Sequence, residues 1–178
     1  MSKAVQNLTE CIEQIIASNG MNLIVGTPLG IGKPNPLVNA IWQQAKKNKD
    51  ISLEIFTALS LQVPKGKSLL EKNFLKPFTD RIFGENYPDL DYLQDVINNQ
   101  VPANMKLTEF YMQSGKMLNS TTAQKNYTSS NYTHAARDML DKGLNVLIQM
   151  VGIKQTENGK VYSLSSNTDL TLDVVEIS

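Results

Sequence analysis

Apolar positions near the start of the chain recur three and four residues apart, at Val5, Leu8, Cys11, Ile12, Ile15 and Ile16, and stop at Asn19-Gly20. One stripe of that period predicts an amphipathic helix closed by glycine. Cys11 lies on the stripe and reads as a packed thiol, not a nucleophile. Residues 22–25 then form a short apolar run, the first expected strand. The chain next breaks into Gly26, Pro28, Gly30, Gly32, Pro34 and Pro36 before a second helical stripe, Leu37, Val38, Ile41, Trp42 and Ala45. A strand that gives way to glycine and proline and restarts as a helix builds a loop whose bare amides face the helix N-terminus. Such a loop suits an anionic or carbonyl-bearing ligand.

The same alternation continues. Residues 51–63 read as a long second strand, 69–83 as a helix with a kink or restart at Pro77, and 89–98 as a short helix. Residues 105–112 read as a third strand, and the polar stretch 113–133 as a long loop. Asn131 or Thr133 caps a helix through Leu140 that closes at Lys142-Gly143 with an Asp138–Lys142 pair. Residues 144–151, apolar except for Asn145 and Gln149, are expected as a strand of the kind buried on both sheet faces. Residues 161–164 and 170–177 read as two last strands, with a hairpin turn at 157–160. The expected fold is α/β: a mostly parallel, right-handed sheet flanked by helices, with an antiparallel edge hairpin at the C-terminus. No composition shift or repeat divides residues 1–178, so one domain is expected.

Composition narrows the function classes. The 178 residues are 41% hydrophobic, enough for a core. The 17 basic and 17 acidic residues cancel, so no global field steers the chain to nucleic acid or an acidic membrane. The lysines at 46, 47 and 49 read as a solvated helix end. No apolar run approaches the about 20 residues of a membrane span, and the first residues carry no signal-peptide pattern. One cysteine and no leader give a cytoplasmic reading, under which the sequons at Asn7, Asn119, Asn126 and Asn131 are chance products.

Few residues carry candidate chemistry. His134 is the only histidine, so no multi-histidine metal site is available. It stands four residues before Asp138, and Ser129 and Ser130 lie upstream. A Ser–His–Asp arrangement is open on paper, although no Gly-x-Ser-x-Gly elbow accompanies it. The alternative is a helix-cap histidine. The glycine loop is neither a P-loop, because Pro34 takes the Ser/Thr place, nor a G-x-G-x-x-G fingerprint. Glu54 and Glu109 fall on expected strands, and Lys33 and Lys116 follow turns, where they meet an anion or are only solvated.

The segment Leu29-Gly30-Ile31-Gly32-Lys33-Pro34-Asn35 with Leu37-Val38-Asn39-Ala40 resembles the start of the acetyl-CoA hydrolase/transferase family of CoA-transferases. The resemblance continues in Ile55-Phe56-Thr57-Ala58-Leu59-Ser60-Leu61, in Phe83-Gly84 with Tyr87-Pro88-Asp89-Leu90-Asp91-Tyr92, and in Glu109-Phe110-Tyr111-Met112 with Gly115-Lys116. It runs on through the stretch from Gln124 to Asp138, which holds Asn131 and His134, and into Tyr162-Ser163-Leu164-Ser165-Ser166-Asn167-Thr168-Asp169. The likeness implies the fold of a CoA-transferase N-terminal half. It implies an enzyme in which a glutamate attacks an acyl-CoA, giving an acyl–glutamyl anhydride and then a glutamyl-CoA thioester, with a carboxylic acid or water as acceptor. In the family that glutamate belongs to the C-terminal half, which this sequence does not contain. Glu109 is then a supporting carboxylate, and Gly30, Gly32, Lys33, Asn131 and His134 are the candidates for binding substrate or CoA. The implied partners are acyl-CoA, a small carboxylate, the C-terminal half and a second copy of the chain. CoA thioester enters as substrate, with no permanently bound cofactor. The alternative is a stand-alone, non-catalytic interaction module.

Overall fold

Among residues 4–5, 7–165, 167 and 170–177, which the computed structural model describes, helices and parallel strands alternate as expected. Helix α1 (Leu8–Asn19) begins at Asn7, whose side-chain oxygen accepts the Glu10 N–H at 2.9 Å, so Val5 lies before the helix. It ends at Gly20 in the left-handed region, φ 75°. Strand β1 (Asn22–Gly26), a single 3-10 turn (Gly30–Gly32), α2 (Asn35–Lys47), β2 (Ser52–Thr57), α3 (Leu69–Ile82) and α4 (Tyr92–Ile97) follow. Then come β3 (Met105–Glu109), α5 (Thr121–Lys125), α6 (Tyr132–Asp141), β4 (Val146–Leu147), β5 (Gly152–Thr156), β6 (Gly159–Ser163) and α7 (Thr171–Ile177).

The main sheet is all parallel, in the order β3-β2-β1-β4. Register puts Leu23, Leu53 and Met105 in one row and Val25, Ile55 and Leu107 in the next, all on one face. Ile12, Val38, Ile41, Trp42, Leu93 and Val96 from α1, α2 and α4 cover that face and complete the main core. On the other face Phe56 packs with Phe110 and with Ala135 and Met139 of α6. Sequential strands run outward from β1 through β2 to β3, whereas β4 lies on the opposite side of β1. The direction of winding therefore reverses between β1 and β4.

Several elements differ from their sequence expectation, each for a local reason. Residues 170–177, expected as a strand, form α7: Leu170 and Val174, four apart, face inward while Leu172 and Val175 are exposed. That is helical periodicity in a β-branched run. Strand β2 stops at Thr57, where β3 also ends, and Leu59 leaves the sheet at φ 46°. Of residues 144–151 only Val146 and Leu147 pair, because β4 is a sheet edge. The hairpin turn falls within 157–160 as expected, but β6 pairs with β5 in a separate two-stranded sheet. Helix α3 runs through Pro77 without a restart, on a surface where water can take up the freed carbonyl. A short helix, α5, interrupts the long polar stretch. The expected Asp138–Lys142 pair is absent. Asp138 bonds Ser130 and Arg137, while Lys142, past the helix end, turns to Glu54 at 3.8 Å and over the Phe56 ring. No helix among the described residues is long and apolar enough to cross a membrane.

Candidate functional site

The carboxyl ends of β1, β2 and β3 carry a buried polar network. Glu109, the last residue of β3, is 2% exposed, and one of its carboxylate oxygens accepts both the Ser60 N–H at 3.1 Å and the Ser60 hydroxyl at 2.5 Å. With Ser60 donating there, the Tyr92 hydroxyl is left to donate to Ser60 Oγ, 2.6 Å away. Lys33, also 2% exposed, reaches from the glycine loop and donates to the carbonyls of Ala58 at 2.5 Å and Leu59 at 3.3 Å. Thr27 and Thr57 join β1 to β2 through their hydroxyls at 2.6 Å. Burial pushes the Glu109 carboxyl above the ordinary carboxylate range, while the Ser60 bonds and the Lys33 ammonium pull it part of the way back. Burial and the neighbouring Glu109 raise the Tyr92 hydroxyl well above its ordinary value.

The loop's own geometry differs from the expected anion cradle. In the first turn of α2, Asn35 N–H bonds the Lys33 carbonyl, Leu37 and Val38 N–H both turn to Pro34 O, and Pro36 has no N–H. Two prolines and the local turns thus satisfy or remove the donors that a bare helix N-terminus offers. The Asn35 side chain donates to the Pro88 carbonyl at 2.7 Å, and Asn39 clasps the same segment through Asp89 and Asp91. Gly30 has φ 59°, a conformation that favours glycine. Gly32 needs space instead: a Cβ there would meet Asn167 Nδ2 at 1.5 Å.

The remaining candidates lie nearby but apart. The stretch after α5 crosses the end of β3, where Tyr127 bridges to Glu109 and Thr128 N–H bonds the Glu109 carbonyl. Asn131 caps α6, and Tyr132 packs edge-on against Phe110, so Asn131 and His134 stand at the same sheet end as Gly30. Both are exposed, and His134 bonds only Asn131 and Thr133 side chains, outside the network. Ser130 bonds Asp138 directly at 2.5 Å, so histidine does not stand between them. That hydroxyl, then Arg137, holds the Asp138 carboxyl below its usual range. His134 is thus a companion of the helix cap. Glu54 lies on the second face, where burial is outweighed by Thr108, Lys106 and Lys142 and its pKa falls. Lys116 is half-buried, and burial lowers its pKa against the opposing pull of Asp89.

Ser60, Tyr92 and Asn35 form the site without any chemical signature in the sequence. Their only signal is membership of the segments that carry the family resemblance. Two cavities flank the network. One, of about 360 Å³, is lined by Met112, Met117, Leu118, Gln124 and Tyr127 beside the end of β3. The other, of about 330 Å³, lies between Gly32 and Asn167 where the winding reverses. No group of acids, cysteine and histidine among the described residues is placed to hold a metal ion. No protein-family model, curated protein or solved structure matches the chain.

Proposed function

We propose that this chain is the N-terminal half of an acyl-CoA hydrolase or CoA-transferase. It lends the glycine loop and the substrate-side wall to a cleft whose nucleophilic glutamate comes from a second half. The observation that carries the reading is convergence. Segments far apart in the chain, each part of the family resemblance, meet in one network: Lys33 on Ala58 and Leu59, Asn35 on Pro88, Ser60 on Tyr92 and Glu109, and Tyr127 on Glu109. The state of Glu109 fits a supporting role. A nucleophilic carboxylate has to reach a thioester carbonyl, and this one is sealed beneath Ser60. Its work is to hold the loops after β2 and β3 in place.

A second reading, a non-catalytic interaction module, is favoured by α3. None of its residues is buried, and Leu70, Phe74, Phe78 and Ile82 form an apolar stripe 55–80% exposed. Such a surface on a small domain marks a contact with something else. Both readings are tested by following acetyl-CoA cleavage by the purified chain with a thiol reagent. The acyl-CoA reading expects a rate no faster than buffer for the chain alone and a saturable rate once a glutamate-bearing C-terminal half is supplied. Steady cleavage by the chain alone, abolished in Glu109→Ala, would overturn the assignment of the nucleophile. No complex with that half and no change in melting temperature with acetyl-CoA would favour the module.

A further inference from the structure

We propose that the exposed face of α3 is the contact through which two copies of this chain pair, antiparallel, about a two-fold axis midway between Phe74 and Phe78. The state of the helix is the first reason. In the connection from β2 to β3, α4 covers the sheet with Leu93 and Val96, and α3 adds no residue to either core. Local features hold α3: the Ser68–Glu71 capping box, a Phe74–Phe78 ring contact at 5.7 Å and a Lys76–Asp80 pair at 2.6 Å. Its 14 residues, with Pro77 inside, make a marginal helix in water unless one face is covered. The open face is apolar, because Leu70, Phe74, Phe78 and Ile82 repeat every four residues and all are exposed.

The order of residues on that face decides the occupant, since it reads alike from both ends. Leu70 and Ile82 stand four residues outside Phe74 and Phe78. Glu71 and Arg81 stand three residues outside them, on the same side of the helix. A half-turn about the midpoint sets Phe74 against Phe78 of the second copy, Leu70 against its Ile82, and Glu71 against its Arg81. An isologous contact needs such a patch, complementary to itself after rotation. A four-residue ridge also suits the commonest helix crossing, in which two such ridges interdigitate.

The charges are placed for this pairing. Glu71 uses Oε2 to accept the Lys67 and Ser68 N–H groups, which leaves Oε1 for a partner. Arg81 is exposed and forms no ion pair among the described residues. Lys76, beside the axis, lies on the opposite side of the helix and pairs with Asp80, so the two copies of that charge do not meet. A lipid surface is the poorer match, because Glu71 would enter it without a counter-charge. One helix face makes a small contact, so the dimer is reversible and its share rises with concentration. The pairing rests on this surface and not on acyl-CoA chemistry: its failure shows in mass, the failure of that chemistry in turnover.

The test follows the mass of the full chain by sedimentation velocity across a wide range of concentration. Wild type is expected to pass from monomer to dimer. Glu71→Arg and Arg81→Glu each set like charges together at both symmetric contacts and should weaken the dimer by about fivefold or more. Mixing the two variants, or combining both substitutions in one chain, restores opposite charges and should bring the dimer back. Glu71→Arg also removes the capping carboxylate, so circular dichroism checks its folding and a second measurement avoids that residue. In a Cys11→Ala background, a short bis-maleimide should join Leu70→Cys to Ile82→Cys when the two are mixed. It should join neither variant to itself, since like positions then lie about 18 Å apart along the helices. A chain monomeric at every concentration, a dimer indifferent to both charge reversals, no recovery on mixing, or cross-linking of either single variant equal to the mixture would each overturn the proposal.

Discussion

Lys33 and Glu109 put two ionisable side chains into the interior of a small domain, and each holds the other's environment together. The Lys33 ammonium lowers the Glu109 pKa through space, so removing either group leaves the other less compensated in the interior, at about 1–3 kcal/mol. Lys33→Met and Glu109→Gln should each lower stability by about that much. The double variant should lose at least about 1 kcal/mol less than the sum of the single losses, measured by urea unfolding. Strict additivity would show that the two groups do not share a field. The sign of the pH dependence follows from the raised Glu109 pKa. The folded state holds that proton more tightly than the unfolded chain, so this group's stability contribution falls as pH climbs from the ordinary carboxylate value through the folded one. Glu54 and Asp138, with lowered values, contribute stability that is lost only as pH falls. Without Lys33 the Glu109 pKa rises further, and the stability gap between wild type and Lys33→Met should be wider at pH 8 than at pH 5. An equal gap at both would remove Lys33 from the account. At Gly30, φ 59° sets a different expectation: Gly30→Ala should cost about 1–2 kcal/mol and Gly30→Asn less, by chemical denaturation.

At the scale of elements, what the sequence revealed and what it hid divide by physical cause. Helices α1, α2 and α6 and strands β1 and β3 carry clean periods, with side-chain caps at Asn7 and Asn131 for α1 and α6, and each lies close to its expected place. Strand β4 is shorter than the expected 144–151, and α7 is a helix where a strand is expected, because short apolar β-branched runs look alike whether they pair, turn or coil. Only the tertiary neighbours decide. The glycine loop was legible as a loop. Its amides were not, because proline and a local turn had consumed them. Helix α3 has a sound N-terminal capping box at Ser68 and Glu71, yet its apolar stripe faces outward. The stripe contributes little to the stability of this chain alone, so Phe74→Asp/Phe78→Asp should leave the melting temperature within a few degrees. The same change should abolish concentration-dependent association in sedimentation velocity. A large fall in melting temperature would mean that α3 packs on the domain in solution.

For the whole molecule, the parallel sheet carries a buried polar network at its carboxyl end and leaves α3 uncovered, which makes it a platform with its polar network at one end. The candidate residues divide accordingly. Gly30 and Lys33 belong to the platform, Gly32 opens the crevice at the winding reversal, and Asn131 and His134 stand on the rim. Sequence reasoning brought these residues to one end of the sheet but not to one site, since spacing along the chain says nothing of which side chains turn inward. The central claim is that this platform completes a thioester-cleaving cleft when joined to a glutamate-bearing half. The most direct measurement is the acetyl-CoA cleavage rate of the chain mixed with such a half, for wild type and for Gly32→Val, alongside the melting temperature of each. The account predicts a saturable rate for the mixture and none for either part, with Gly32→Val losing most of the rate and little of the melting temperature. No rate from a mixture that demonstrably associates, or equal losses of rate and melting temperature in the variant, would contradict it.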